Sequence, residues 1–462
     1  MPKIISFLTI ATLVGLGGIL YFLQLAKPVK TNLDIIERVK QNDIATLESH
    51  FTSLLKDYHN DPNTELALSI KYEAFANSDP VFEPLLSAWL EAYPDSIAAK
   101  LALGRHYSHL GWLSRGTRYI SKTHDNQINA MNEYFGRASN YFLQVIKQDP
   151  DMILAYHGIL SMVKTMRNPV LEETITAKAM AVRPDSYLFN YQRLFAMQPK
   201  WGGSLEAIDD AIKKLEPYFE KNPKLELLKG FQAIAMADEI IRPKRDDETC
   251  ASALQYIEEA LKKYQTPQLY SKRGSYHRCL SEYEEAIADY SRAISLASYD
   301  ADYYIKRARN YLSLKNYDKA IEDLHVAISY DTLNPRALKY LGRAYYRKKD
   351  YEKAKVYFED SLTFGQYSYY SHRMLGYIYY NTVKDFVSAE REFGKAKEYG
   401  DRNPRTLVML ASAQHQQKDC KFVSTAEAYL KQCESSKKTC SEKYLTWANN
   451  AIQHVRQEGT CP

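Results

Sequence analysis

Three stretches decide how this chain reads: GSYHRCLSEYEEAIADYSRAI (Gly274–Ile294), ARNYLSLKNYDKAIEDLHVAI (Ala308–Ile328) and LGRAYYRKKDYEKAKVYFEDSL (Leu341–Leu362). They share a step of 34 residues, from Ala286 to Ala320 to Ala354 and from Tyr290 to Leu324 to Phe358. Counted from Pro267, small residues stand at the eighth and twentieth positions of each unit and large ones at the eleventh and twenty-fourth. Small residues let two helices of a hairpin approach closely, and large ones fill the space between hairpins. Each hairpin keeps an unburied apolar face, so only stacking against its neighbours completes a core. A fourth unit has Leu375, Gly376 and Tyr379, then slips by one residue so that Ala389, Phe393 and Ala396 take the later positions. A fifth, degenerate unit begins near Pro404.

This spacing closely resembles the tetratricopeptide repeat. The resemblance implies an all-α chain built as a right-handed α-solenoid of helix-turn-helix repeats, and a protein that holds other proteins. Upstream, the same template is looser: Gly104, Tyr107, Ala138 and Phe142, then Gly158 with Ala177, then Tyr191 with Ala207 and Phe219. The region from Leu33 to Ile241 is similar to the bacterial domain-of-unknown-function family numbered 4034. That likeness rests on SAWLEAYPDS (Ser87–Ser96), WLSRG (Trp112–Gly116), MAVRPDSY (Met180–Tyr187) and PKWGGS (Pro199–Ser204). At Thr117 and Arg118 the chain departs from the Gly-rich step usual in that family. The family carries over no reaction. In PKWGGS, Pro199 disfavours helix at Gln198, Gly202 and Gly203 accept unusual backbone angles, and Ser204 fits an N-cap. Trp201 reads as a plug between helices.

Composition narrows the class. The chain has 462 residues, 45% hydrophobic and 25% charged, as a folded chain does, and its Gly and Pro counts of 18 and 17 disfavour a turn-rich β fold. A formal charge of +5 is too small over this length to argue for nucleic acid. Ile4–Leu25 is uncharged and at ~1.5 Å rise per residue would span roughly 33 Å, the thickness of a bilayer core. We therefore expect one N-terminal transmembrane helix. A cleaved leader is the competing reading, with Gln24 making a poor site for a cut after Ala26. Lys27, Lys30, Arg38 and Lys40 after the span would keep the body in the cytoplasm by charge. The six cysteines, four of them in the last 45 residues, favour an oxidising compartment, and the expectation is a periplasmic body. Expected segments are an anchor over 1–30, a helical domain over 31–245, tetratricopeptide repeats over 246–417 and a cysteine-containing helical cap over 418–462.

Chemistry is sparse. His106 and His109 have a ligand spacing but no third donor, so no metal or cofactor is expected, and no nucleophile elbow, phosphate loop or zinc-protease motif occurs. No enzyme is expected. The alternative is an accessory factor or enzyme acting on cell-envelope glycan, which would need a carboxylate pair in a closed pocket within residues 90–240. Cys250 and Cys279 lie beside adjacent inter-helix turns and could form a disulfide. The second, fifth, ninth and twelfth positions of each first helix share a face. There stand Arg336, Lys339, Arg343 and Tyr346 in the third unit, and Tyr370, Arg373, Tyr377 and Tyr380 in the fourth. Arg309 joins from the second unit. A basic, tyrosine-lined groove suits an extended acidic peptide or a C-terminal carboxylate. The bland reading is a solvated charge layer over tyrosines that merely pack.

Overall fold

A computed structural model describes residues 29–116, 123–365, 368–435 and 440–461. Among them the chain is helical and contains no strand. The expected membrane span Ile4–Leu25 and the Thr117–Arg118 departure lie outside the described residues. Within those residues no helix is long and apolar enough to cross a membrane.

The chain divides into two compact units, with the boundary between Asn334 and Pro335. In the first, α1 (Val29–Lys40), α2 (Ile44–Asn60), α3 (Glu65–Tyr72) and α4 (Phe82–Ala92) lead into the long α5 (Ile97–Arg115) and α6 (Asp125–Gln148). Next come α7 (Ile153–Met166), α8 (Pro169–Val182), α9 (Tyr187–Ala196), α10 (Leu205–Lys213) and α11 (Lys229–Ile241). The unit ends with α12 (Asp247–Leu261), α13 (Pro267–Cys279), α14 (Tyr283–Leu296), α15 (Ala301–Ser313) and α16 (Tyr317–Tyr330). The second unit holds α17 (Pro335–Arg347), α18 (Tyr351–Asp360), α19 (Tyr369–Ile378), α20 (Phe386–Glu398), α21 (Pro404–Gln416), α22 (Lys421–Ser435) and α23 (Glu442–Glu458).

The repeat has a backbone signature. Ser281, Lys315, Lys349, Lys384 and Lys418 all hold positive φ, between 59° and 65°, at the turn from first to second helix. The steps between them are 34, 34, 35 and 34 residues. The single longer step contains a π-turn over Tyr379–Val383, which inserts one residue and produces the slip seen in the fourth unit. Asn316, Asp350 and Asp385 follow the left-handed residue and cap the second helix, their side chains accepting from Lys319, Lys353 and Ser388 N–H. Asn42 and Arg167 make the same left-handed turn between α1 and α2 and between α7 and α8. The upstream region thus obeys the same hairpin rule.

The small eighth position receives the large twenty-fourth. A Cβ on Gly342 would lie 2.7 Å from the Phe358 ring, and one on Gly376 2.7 Å from Phe393. Upstream, Phe142 of α6 wedges between Gly104 of α5 and Gly158 of α7, where a Cβ on either would come within 2.5 Å of its ring. In PKWGGS, Pro199–Trp201 forms one 3-10 turn after an extended Gln198, Gly202 has φ 88°, and Ser204 accepts from Ala207 N–H at 3.1 Å. A Cβ on Gly203 would sit 1.9 Å from the Met197 carbonyl oxygen. Trp201 packs towards Phe195 with ring centroids 6.4 Å apart.

The first unit is clasped between distant segments. Asn77 Nδ2 donates to Tyr330 O at 3.1 Å, and Asp331 accepts from Ser78 N–H at 2.9 Å and from the Ser78 hydroxyl. His109 Nε2 is 3.0 Å from the other Asp331 oxygen, so the histidine weighed as a metal ligand serves the clasp. His106 is buried, stacks on Phe82 at 6.2 Å, and burial holds its pKa down to about 4. The clasp ties Tyr330 and Asp331, at the end of the second repeat, to the upstream helices, and the compact units divide inside the 246–417 repeat run. All six cysteines pair, as Cys250–Cys279, Cys420–Cys461 and Cys433–Cys440.

Candidate functional site

The first helices of the second unit bury one face and leave the other to solvent. On α17, Ala337, Leu338, Leu341, Gly342 and Ala344 are buried. Arg336, Lys339, Arg343 and Tyr346 are half-buried, and Arg347 is exposed. Lys339 Nζ lies 5.0 Å from the Tyr340 ring centroid. Tyr346 meets Tyr351 edge-on at 5.4 Å. On α19, Tyr370 packs against Phe358 at 6.2 Å.

Three of the expected groove residues play a different part. Arg373 is not a free cation: its guanidinium Nη1 donates to both Asp401 oxygens at 3.1 and 3.3 Å, and that carboxylate is 2% exposed. Asp401 also accepts from Thr406 Oγ1 at 2.6 Å and from Asn403 N–H at 3.0 Å, so Arg373 belongs to the joint that turns α20 into α21. Tyr377 is 8% exposed and packs edge-on against Phe393 at 5.3 Å. The Tyr380 hydroxyl is 2.6 Å from Ser412 Oγ, and its ring meets Phe386 at 5.2 Å. Both tyrosines form the wall beneath the surface. Arg309 is half-buried on α15 of the first unit, where its carbonyl accepts from Arg278 Nη1 and Ser313 Oγ.

Two cations escaped the sequence reading. Arg405 is exposed at the start of α21, its guanidinium carbon 5.3 Å from the Tyr377 ring centroid and 5.9 Å from that of Tyr444. It occupies the second position of the fifth unit, and extending the face rule to that degenerate repeat would have found it. Arg347 stands at a thirteenth position, outside the rule. Among the described residues Arg343, Arg347 and Arg405 make no ion pair. Their fields converge on the same phenols. Burial raises the Tyr370 pKa while Arg343, Arg373 and Arg347 pull against it. Burial raises Tyr377 to about 12 against Arg405 and Arg373, and raises Tyr346 against Arg405 and Arg347. The result is a group of guanidinium charges beside half-buried Tyr346 and Tyr370 and buried Tyr377.

A different arrangement lies in the upstream helices. Arg105 pairs bidentately with Glu73, at 3.2 Å from Nε and 2.6 Å from Nη2, beside a cavity of about 230 Å³. Glu73 is the sole acid among the described residues lining it. The paired acids required by the glycan-enzyme alternative are therefore not what this cavity holds. An open cleft further on is lined by Glu172, Glu173 and Asp210, with Glu172 held 2.9 Å from Lys164 Nζ. Among the described residues no group of three or more His, Cys, Asp or Glu could hold a metal.

Residues 305–369 match the family described as Tetratricopeptide repeat. That segment carries tetratricopeptide repeats. Residues 32–175 of the chain match Domain of unknown function (DUF4034). That match ends before Met180–Tyr187 and Pro199–Ser204, so the two segments extend the likeness only by sequence pattern. No curated protein matches. Among solved structures, PilF of Pseudomonas aeruginosa is 19% identical, covering 50% of this chain and 97% of its own, with a TM-score of 0.41. The C-terminal part of a TPR repeat-containing protein from Cytophaga hutchinsonii is 21% identical, with coverages of 48% and 88% and a TM-score of 0.38. YrrB, described as a TPR protein with an unusual peptide-binding site, is 14% identical, with coverages of 44% and 97% and a TM-score of 0.33.

Proposed function

We propose that this repeat protein is an interaction scaffold whose second unit binds an extended acidic segment, or a free C-terminal carboxylate, of a protein partner. The observation that carries this reading is the set Arg343, Arg347 and Arg405, which lack carboxylate partners among the described residues and whose charges act on the phenols of Tyr346, Tyr370 and Tyr377, Arg405 lying over the Tyr377 ring. A guanidinium offers a planar fork that fits a carboxylate in two parallel hydrogen bonds, and flanking aromatic rings strip water from the pair. Such charge-assisted bonds contribute about 1.5–3 kcal/mol each. Half-buried Tyr346 and Tyr370 add apolar contact without demanding one sequence, which suits an extended peptide.

The test is fluorescence anisotropy with a labelled acidic peptide bearing a free C-terminus. Affinity falls as salt is raised, and Arg343→Glu with Arg405→Glu weakens it by about 100-fold at unchanged melting temperature. Equal affinity for the double variant rejects the reading. Arg373 is left out of this test because its replacement strands Asp401.

The proposal extends to location. Ile4–Leu25 supplies a membrane anchor, and the body lies on the periplasmic side, where three disulfides are chemically at home. A reporter fused to the C-terminus, active only in the periplasm, reads this directly. Activity restricted to a cytoplasmic reporter contradicts it.

A further inference from the structure

The open cleft formed by α7, α8, α9 and α10 belongs to no part of the scaffold reading. Its volume of about 620 Å³ falls within the range of about 300–1,000 Å³ usual for small-molecule sites. Its apolar walls are Leu160, Ala177, Ala196, Met197, Ala207 and Ala211. The PKWGGS segment shapes one of them. Gly202 turns at φ 88°, and Gly203 leaves free the space that a Cβ would take from the Met197 carbonyl. The end of α9 and the start of α10 thereby close on each other, and Met197 and Ala207 come to one cleft.

One charge in the lining has no counterpart. Arg193 of α9 is half-buried and forms no ion pair among the described residues, and burial alone moves its pKa, downwards. Its Nε is sealed without a partner, and its Nη1 donates to the Met180 thioether at 3.3 Å, a weak acceptor. Nη2 is neither bonded nor sealed, and it is the donor left for an occupant of the cleft. A guanidinium held partly out of water with no anion is unfavourable, and an entering carboxylate would relieve it. The three acids of the lining do not serve that purpose. Glu172 is held 2.9 Å from Lys164, Glu173 and Asp210 are exposed, and none of them acts on Arg193.

The walls decide the body of the ligand. Methyl, isobutyl and thioether groups offer no partner to the peptide groups of an extended chain, whereas an alkyl chain asks for none. We propose that this cleft binds a fatty acid, its carboxylate on Arg193 and its alkyl chain along the wall made by α8, α9 and α10. The site stands independently of the peptide-binding face.

The experiment is calorimetry on the full chain with octanoate and decanoate, and with 1-octanol, octylammonium and an uncharged tetrapeptide bearing a free C-terminus as comparisons. Octanoate binds with Kd on the order of 100 μM, and decanoate binds about fivefold tighter because its chain buries two more methylenes. The alcohol, the ammonium and the tetrapeptide each bind at least about tenfold more weakly, lacking either the charge or the alkyl body. Arg193→Met weakens octanoate binding about tenfold yet leaves the melting temperature equal or higher, because it removes an unpaired, desolvated charge. A merely structural arginine would lower the melting temperature and leave the affinity unchanged. Ala177→Trp, at an exposed position of the cleft wall, blocks octanoate and leaves binding of the acidic peptide intact. No saturable binding of octanoate, equal binding of 1-octanol, tighter binding of the tetrapeptide, or an unchanged affinity in Arg193→Met overturns the proposal.

Discussion

Lys315, Lys349, Lys384 and Lys418 each adopt left-handed backbone without being glycine, and each therefore carries strain that the hairpin tolerates. Lys349→Gly should raise unfolding free energy by about 1 kcal/mol, read from urea denaturation, if the strain relieved exceeds the added freedom of the unfolded chain. The arginines separate in the opposite sense. Arg373→Ala leaves the buried Asp401 carboxylate unpaired and should lower stability by about 3 kcal/mol. Arg405→Ala should stay within about 0.5 kcal/mol, as exposed substitutions do. At this scale the sequence disclosed which first-helix positions carry cations and tyrosines. It could not disclose which were spoken for. Asp401 sits on an inter-repeat loop 28 residues beyond Arg373, and no helical periodicity links those two positions.

Helix pairs were more legible than single contacts, because the small-against-large rule is written into each repeat. Gly342 and Gly376 receive the Phe358 and Phe393 rings at distances that leave no room for a methyl group. Gly376→Ala should lower stability by about 1–3 kcal/mol in thermal unfolding through overpacking. The one-residue slip of the fourth unit was visible in the sequence, but its form was not, since a π-turn differs from an α-turn by a single hydrogen-bond step. Cys250 and Cys279 were legible as neighbours through repeat register, and the structure bonds them across 29 residues of chain. Replacing both with Ser should cost about 2–4 kcal/mol, read from urea denaturation, and reductant, which opens all three disulfides, should cost the wild type at least as much. The residues lining the cavity beside Arg105 gave no signal, because Ser69 on α3, Arg105 on α5 and His157 on α7 share no repeat register.

At the scale of the whole molecule, the first unit depends on a contact that no repeat rule describes. Asp331 closes the clasp to Ser78 and His109, more than 220 residues away in sequence. Burial raises its pKa, but the His109 charge and the hydrogen bonds from His109 and Ser78 outweigh that and hold the carboxyl below its usual range. A depressed folded pKa contributes stability above the unfolded value of about 3.9, lost as pH falls further. Acid unfolding should therefore steepen below about pH 4 in the wild type and flatten in Asp331→Asn, which starts from lower stability. The acidic-peptide account is tested most directly by exchanging charge between the partners. Arg343→Glu with Arg405→Glu should reject the acidic peptide and accept its lysine counterpart with at least tenfold preference. A double variant that still prefers the acidic peptide would place the working surface elsewhere.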